Sequence, residues 1–135
     1  MMRDKYKVSV LIPYKIKNND VEVFLQKRTE DAKVAPGCFG FFGGKIEEQE
    51  TPDEALKREI KEELDLSVED YKFFKQYDFG NVLINVYISE VGEDFEGKIS
   101  VNEGDYGKFF SGKEVFKEPK LAENANIILG DLFKK

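Results

Sequence analysis

The chain has 135 residues, 41% of them hydrophobic and 36% charged, with a net charge of −6 and a pI near 4.9. That is enough for one domain with its own core, and too acidic for a protein whose partner is a nucleic-acid polymer or an anionic membrane. With no His and a single Cys38, the sequence excludes Ser-His-Asp and Cys-His catalysis, His-ligated zinc and an internal disulfide, leaving carboxylates, Lys, Arg and Tyr for acid–base work.

In chain order, Met1 to Lys7 lead into an apolar run that is short and broken at Pro13, so neither a signal peptide nor a transmembrane span is expected, and a cytoplasmic address follows. Val8 to Tyr14 reads as a strand, Lys17 to Asp20 as a turn, and Val21 to Arg28 as a second strand in which Val21, Val23 and Leu25 alternate with Glu22, Phe24 and Gln26. A loop rich in Gly and Pro runs from Glu30 to Gly40, and Phe41 to Ile46 is a short extended piece. Phe73 to Asp78 and Val82 to Val91 form a predicted hairpin around Gly80 and Asn81. An acidic loop (Gly92 to Gly97), a strand (Lys108 to Ser111) and a helix (Asn124 to Phe133) complete the chain. Residues 1–135 show no repeat and no linker and read as a single domain; periodicity alone gives α+β or α/β.

The segment Gly44 to Leu66 carries the chemistry. Thr51 suits a helix N-cap, Pro52 the first helical position, and Glu54 the third position of a capping box. Asp53 to Leu64 contains neither Gly nor Pro, which predicts a helix over Pro52 to Leu64. Glu59, Glu62 and Glu63 then share one face at i, i+3, i+4, beside an apolar arc of Leu56, Ile60 and Leu64 that should pack on a sheet. Like charges at these spacings repel, so the cluster suits a hard divalent cation, Mg²⁺ or Mn²⁺, although acidic helices are also common as plain solvated surface. Arg58 is placed to fork a carboxylate, with Glu50 the candidate.

The spacing Gly44, five residues, Glu50, seven residues, Arg58-Glu59, Ile60, one residue, Glu62-Glu63, one residue, Asp65, Leu66 resembles the Nudix box, departing from it where Asp65 stands in place of Gly. Asp tolerates a left-handed backbone better than most residues but less well than Gly. The likeness spans about Val8 to Ile128 and is closest to the MutT branch. Phe24 to Arg28 with Asp31-Ala32 is similar to the strand and turn before that branch's box. Phe41-Phe42-Gly43-Gly44-Lys45-Ile46-Glu47 resembles its Phe-Pro-Gly-Gly-Lys-Ile-Glu, with Phe42 replacing Pro. Glu103 to Ser111 looks like the segment carrying a late catalytic glutamate, and Asn124 falls where that branch has a base-reading asparagine.

The resemblance implies a Nudix-type α/β/α sandwich with a mixed β-sheet. It also implies a Mg²⁺-dependent hydrolase of nucleoside diphosphate-X substrates, with Mn²⁺ as the other candidate ion. Glu59, Glu63 and the Gly43 carbonyl would hold metal. Glu62 would hold a second ion or its water, Arg58 would orient the carboxylates, and Glu103 would bind metal or take a proton. Lys27, Arg28, Phe41, Gly44, Lys45 and Asn124 would contact a small nucleotide substrate such as 8-oxo-dGTP, in a monomer or, alternatively, a homodimer. Asn124 equally suits an N-cap for the last helix. Phe79 and Tyr87 are open to base stacking, with core packing the stronger reading. Two rivals stand beside this one: the same chemistry on a nucleotide sugar or ADP-ribose, and a non-catalytic nucleotide-binding module.

Overall fold

The structure is a computed structural model that describes residues 6–33, 35–67, 69–101 and 104–134. Its strands are β1 (Tyr6–Lys17), β2 (Asp20–Lys27), β3 (Phe39–Gly40), β4 (Phe42–Lys45), β5 (Lys72–Asp78), β6 (Val82–Glu90) and β7 (Tyr106–Ser111), and its helices are α1 (Pro52–Leu64), α2 (Phe95–Lys98), α3 (Gly112–Val115) and α4 (Ala125–Phe133). The sheet runs β3-β2-β1-β6-β5, with β4 also on β1 and β7 also on β2. It is mixed because β1 and β6 run parallel, from Tyr6↔Val82 to Tyr14↔Glu90, while the other strand pairs are antiparallel.

One feature of the register positions the site. β1 and β2 pair only from Tyr14↔Val23 to Lys17↔Asp20 and then diverge. Beyond that point β4 takes the freed edge of β1, from Leu11↔Phe42 to Val8↔Lys45, while β3 pairs with β2 at Gln26 and Lys27. The Gly43–Gly44 backbone therefore lies on β1, beside the split, and α1 packs over β4 and β1.

The two faces of the sheet carry separate cores. Neighbouring strand residues point to opposite sides, so Leu11, Phe24 and Tyr87 meet Leu56, Ile60 and Leu64 of α1, whereas Ile12, Val23, Leu25 and Val86 meet Ala125, Ile128 and Leu129 of α4. This is the expected α/β/α sandwich. Each of the fully buried aliphatic residues of α1 contributes about 1.5–3 kcal/mol.

α1 has the predicted bounds and the predicted cap. Thr51 Oγ1 accepts from Glu54 N at 3.1 Å and Glu54 Oε1 accepts from Thr51 N at 2.9 Å. The helix ends at Asp65, which is left-handed (φ 52°); its N–H donates to the Lys61 carbonyl at 3.0 Å and its carboxylate meets Lys61 Nζ at 2.9 Å. The departure from glycine is thus absorbed locally. Phe42, the other departure, is fully buried and stacks on Phe24 with centroids 5.6 Å apart. An aromatic ring at this position serves the core under α1.

β2 alternates as expected, but between two cores: Val23 and Leu25 lie on the α4 side and Phe24 on the α1 side, so that Val23, Phe24, Leu25 and Gln26 are all buried. Two expectations need correction. The acidic loop over residues 92–97 contains the start of α2, whose Phe95 is buried against Phe24 at 5.2 Å. Asn124 stands at the N-cap position of α4, but its backbone is left-handed (φ 69°) and its side chain makes no capping hydrogen bond. Phe79 and Tyr87 follow the core reading: Tyr87 is buried between Tyr71 and Phe73, and Phe79 stacks on Tyr77 at 5.7 Å.

Candidate active site

Arg58 organises the acidic face of α1. Its Nε and Nη2 donate to the two oxygens of Glu50 at 2.8 and 2.9 Å, a bidentate fork across the turn that precedes the helix. Nη2 also donates to the Lys45 carbonyl at 3.0 Å and Nη1 to Glu59 Oε1 at 2.9 Å; Glu62 lies 3.7 Å from Nη1 and Glu47 3.9 Å from Nη2. One guanidinium thereby ties together the end of β4, the following turn and two of the three helical glutamates. The Arg58 hydrogen bonds, and then the Glu47 N–H that also reaches Glu50 at 2.8 Å, bring the Glu50 carboxyl down to about 2. Arg58 is raised in turn, chiefly by the hydrogen bond to Glu50.

The carboxylates converge on the diglycine turn. Glu63 is only 4% exposed, and both of its oxygens accept from Gly43 N, at 3.2 and 3.3 Å. Glu59 lies against Gly44, where an added Cβ would stand 2.6 Å from its carboxyl carbon. Gly43 has no room for a side chain either: at φ 141° its Cβ would be 2.0 Å from the Ser9 carbonyl oxygen. Glycine at both positions lets the backbone of β4 lie between β1 and the two glutamates. Glu62 is more open, its side chain 52% exposed.

This donor set, two carboxylates on a backbone turn with a third beside them, has the hard oxygen chemistry that suits Mg²⁺ or Mn²⁺. Among the described residues, no three acidic side chains are gathered closely enough to close around an ion by themselves. Glu59 is instead paired to Arg58.

The remaining predicted residues spread over two regions. Arg28 follows β2 and shares with Glu63 a cavity of about 70 Å³ that is also lined by Gln26, Thr29, Ala32 and Gly104. Lys27 belongs to the other region. Its ammonium is 5.9 Å from the Tyr106 ring, and Tyr106 meets the edge of Phe39 at 6.1 Å. The strand-like segment before Asn124 is fixed to that same Phe39, which donates to the Lys120 carbonyl at 2.7 Å and accepts from Ala122 N at 2.8 Å. Phe41 is half-buried against the α4-side core, and Lys45 is exposed with its ammonium 5.6 Å from the Tyr6 ring. Glu103 lies outside the described residues. Sequence reasoning missed Gln26 and Tyr106; for Gln26 the available signal was an amide in a strand otherwise buried on both faces.

The chain matches the NUDIX domain family over residues 5–129, and it therefore belongs to the Nudix family. It is a Nudix hydrolase. It is 35% identical over 98 residues to the 8-oxo-dGTP diphosphatase of Escherichia coli (strain K12), covering 71% of this chain and 74% of that one. Among solved structures it is similar to a MutT/nudix family protein from Listeria innocua, with TM-score 0.80 and 20% identity over 98% of this chain and 94% of that chain. It is also similar to the NUDIX domain of Shewanella oneidensis NrtR complexed with ADP ribose, with TM-score 0.77 and 13% identity over 98% and 89%. The two structural likenesses bear on the fold.

Proposed function

We propose that this single-domain chain is a MutT-type nucleoside triphosphate pyrophosphohydrolase acting on an oxidised purine deoxynucleotide such as 8-oxo-dGTP, in the cytoplasm. The observation that carries the hydrolytic reading is the Arg58 fork, which holds Glu59 and Glu62 beside the Gly43–Gly44 turn on which Glu63 also closes. The substrate reading is supported by the 35% identity to an 8-oxo-dGTP diphosphatase.

A divalent magnesium or manganese ion at Glu59, Glu63 and the Gly43 carbonyl would neutralise phosphate oxygens and make water more acidic. The chain's own part is positioning and proton transfer. Arg58 pairs with Glu59 at 2.9 Å and holds its carboxylate against Gly44. Glu62, the most open of the three, holds the attacking water and accepts its proton. The water oxygen bonds to the β-phosphorus, the bond from that phosphorus to the α–β bridging oxygen breaks, and the nucleoside monophosphate leaves with the bridging oxygen and its electron pair, giving pyrophosphate as the other product. Lys27 and Arg28 meet the phosphates, and Asn124 offers a donor and an acceptor to the purine edge. The missing side-chain cap favours this use of Asn124, since its amide is not committed to α4.

A second reading keeps the hydrolytic centre and changes the substrate to a nucleoside diphosphate-X such as ADP-ribose, since the fold leaves substrate choice to its loops. Hydrolysis of 8-oxo-dGTP, dGTP, ADP-ribose and GDP-mannose with Mg²⁺ or Mn²⁺, with products resolved by phosphorus NMR, separates the two. Preference for 8-oxo-dGTP with pyrophosphate release is expected. Turnover restricted to a diphosphate sugar or ADP-ribose would overturn the substrate assignment, and no metal-dependent turnover of any of the four would count against the whole reading.

A further inference from the structure

The end of β2 divides its side chains between the two faces of the sheet. Gln26 and Arg28 line the cavity beside Glu63, together with Gly104. Lys27, between them, points to the α4 side, where its ammonium lies 5.9 Å from the Tyr106 ring. Tyr106 pairs with Lys27 across β7 and β2, and the neighbouring Asp105 N–H donates to the Lys27 carbonyl at 2.9 Å. The ring is braced by Phe39, edge to face at 6.1 Å, yet Tyr106 stays 47% exposed. Among the described residues no carboxylate pairs with the Lys27 ammonium.

Tyr106 stands two residues from Gly104, which borders the Glu63 cavity. At about 3.3 Å per strand residue that is about 7 Å, less than the length of a nucleoside triphosphate. A ligand with its phosphates beside Glu63 therefore reaches Tyr106 by crossing the end of β2. Phe39 ties the same ring to the start of α4: it belongs to the core that α4 covers, and its backbone holds Lys120 and Ala122 just before Asn124. Asn124 opens the helix that packs on this side of the sheet.

An exposed aromatic face beside an ammonium suits a planar ring on an anionic ligand, since the face stacks on the ring and the ammonium answers the charge. We propose that Tyr106 is the stacking residue for the nucleobase of the substrate, a specificity-determining group that acts through ring contact while Asn124 reads the base edge. The identity of the base rests on the triphosphate reading above; the stacking contact itself needs only a nucleotide.

Calorimetric binding of 8-oxo-dGMP, ADP-ribose and inorganic tripolyphosphate tests this without turnover, the last having phosphates and no base. The wild type should bind 8-oxo-dGMP and Tyr106→Phe should match it. Tyr106→Ala should bind it about tenfold more weakly, the scale of one base–aromatic stack, with tripolyphosphate binding unchanged. Tyr106→Leu, which keeps an apolar side chain on Phe39, replaces the alanine variant if that one fails to fold. Equal affinity for 8-oxo-dGMP in the wild type and the alanine variant would overturn the proposal. So would an equal loss of 8-oxo-dGMP and tripolyphosphate, the behaviour of a residue that only shapes the strand, and so would a wild type that binds neither nucleotide. A wild type that turns over no triphosphate but binds ADP-ribose about tenfold more tightly than Tyr106→Ala does would contradict the MutT-type reading and support the stacking role.

Discussion

Arg58 and Glu50 form a two-toothed fork, Nε to Oε2 at 2.8 Å and Nη2 to Oε1 at 2.9 Å, between the middle of α1 and the turn that enters it. Neither group need touch a substrate for this pair to matter. By fixing the guanidinium plane it also fixes the remaining Nη1, and hence the carboxylate of Glu59.

Replacing Arg58 with Lys retains the charge and loses the planar fork. kcat should fall about 10²-fold, the scale associated with slight misplacement of a reacting group, and the melting temperature should fall with the loss of the fork to Glu50. Steady-state kinetics alongside a melting curve check this. A variant with normal kcat would show that Glu59 needs no such support.

The same pair sets an acid limit. The Glu50 carboxyl lies at about 2 in the folded chain, against an ordinary 4.5. Between those values the unfolded chain binds more protons than the folded one, so the stabilisation is complete above about pH 4.5 and is lost as pH falls toward 2. Denaturant titrations from pH 6 to pH 2.5 should show a shallower acid decline for Glu50→Gln than for the wild type. Parallel declines would mean that the fork contributes nothing to stability.

Glu62→Gln keeps shape and removes the charge and the proton acceptor. Turnover should drop by about 10²–10⁴-fold, the range of general-base contributions, with the melting temperature unchanged. A near-normal rate in this variant would withdraw the role proposed for Glu62.

The two glycines of the turn should fail differently. Gly43→Ala forces a methyl to 2.0 Å from the Ser9 carbonyl oxygen at φ 141° and should cost about 3 kcal/mol or more of stability. Gly44→Ala meets the movable Glu59 carboxyl and should mainly lower kcat. Equal melting temperatures in the two variants would contradict this division.

Asn124 tests the base-reading role. Its left-handed backbone (φ 69°) suits Asn and Gly but strains Ala by about 1 kcal/mol. Asn124→Gly therefore removes the amide without that strain. It should lose most of the discrimination between 8-oxo-dGTP and dGTP while remaining as stable as the wild type. Unchanged discrimination would confine Asn124 to a backbone role.

The sequence made α1 legible because its signals are local. The Thr51–Glu54 box, the apolar arc and the eight-residue reach from Glu50 to Arg58 all follow from helix geometry. The mixed sheet and its two covering helices followed from the family resemblance. Contacts set by the sheet split were not legible. The residues of β2 alternate, and nothing local shows that α1 and α4 cover both of its faces. The cluster of Lys27, Tyr106 and Phe39 depends on β7 and β3 both pairing with the end of β2, a relationship between distant segments.

The reaction proposed for the Arg58-organised glutamates is hydrolysis at the β-phosphorus of an oxidised purine triphosphate. The most direct measurement is phosphorus NMR of 8-oxo-dGTP turnover in water enriched in oxygen-18. Label should enter pyrophosphate and leave the nucleoside monophosphate unlabelled. Label in the monophosphate, or release of inorganic phosphate in place of pyrophosphate, would contradict it.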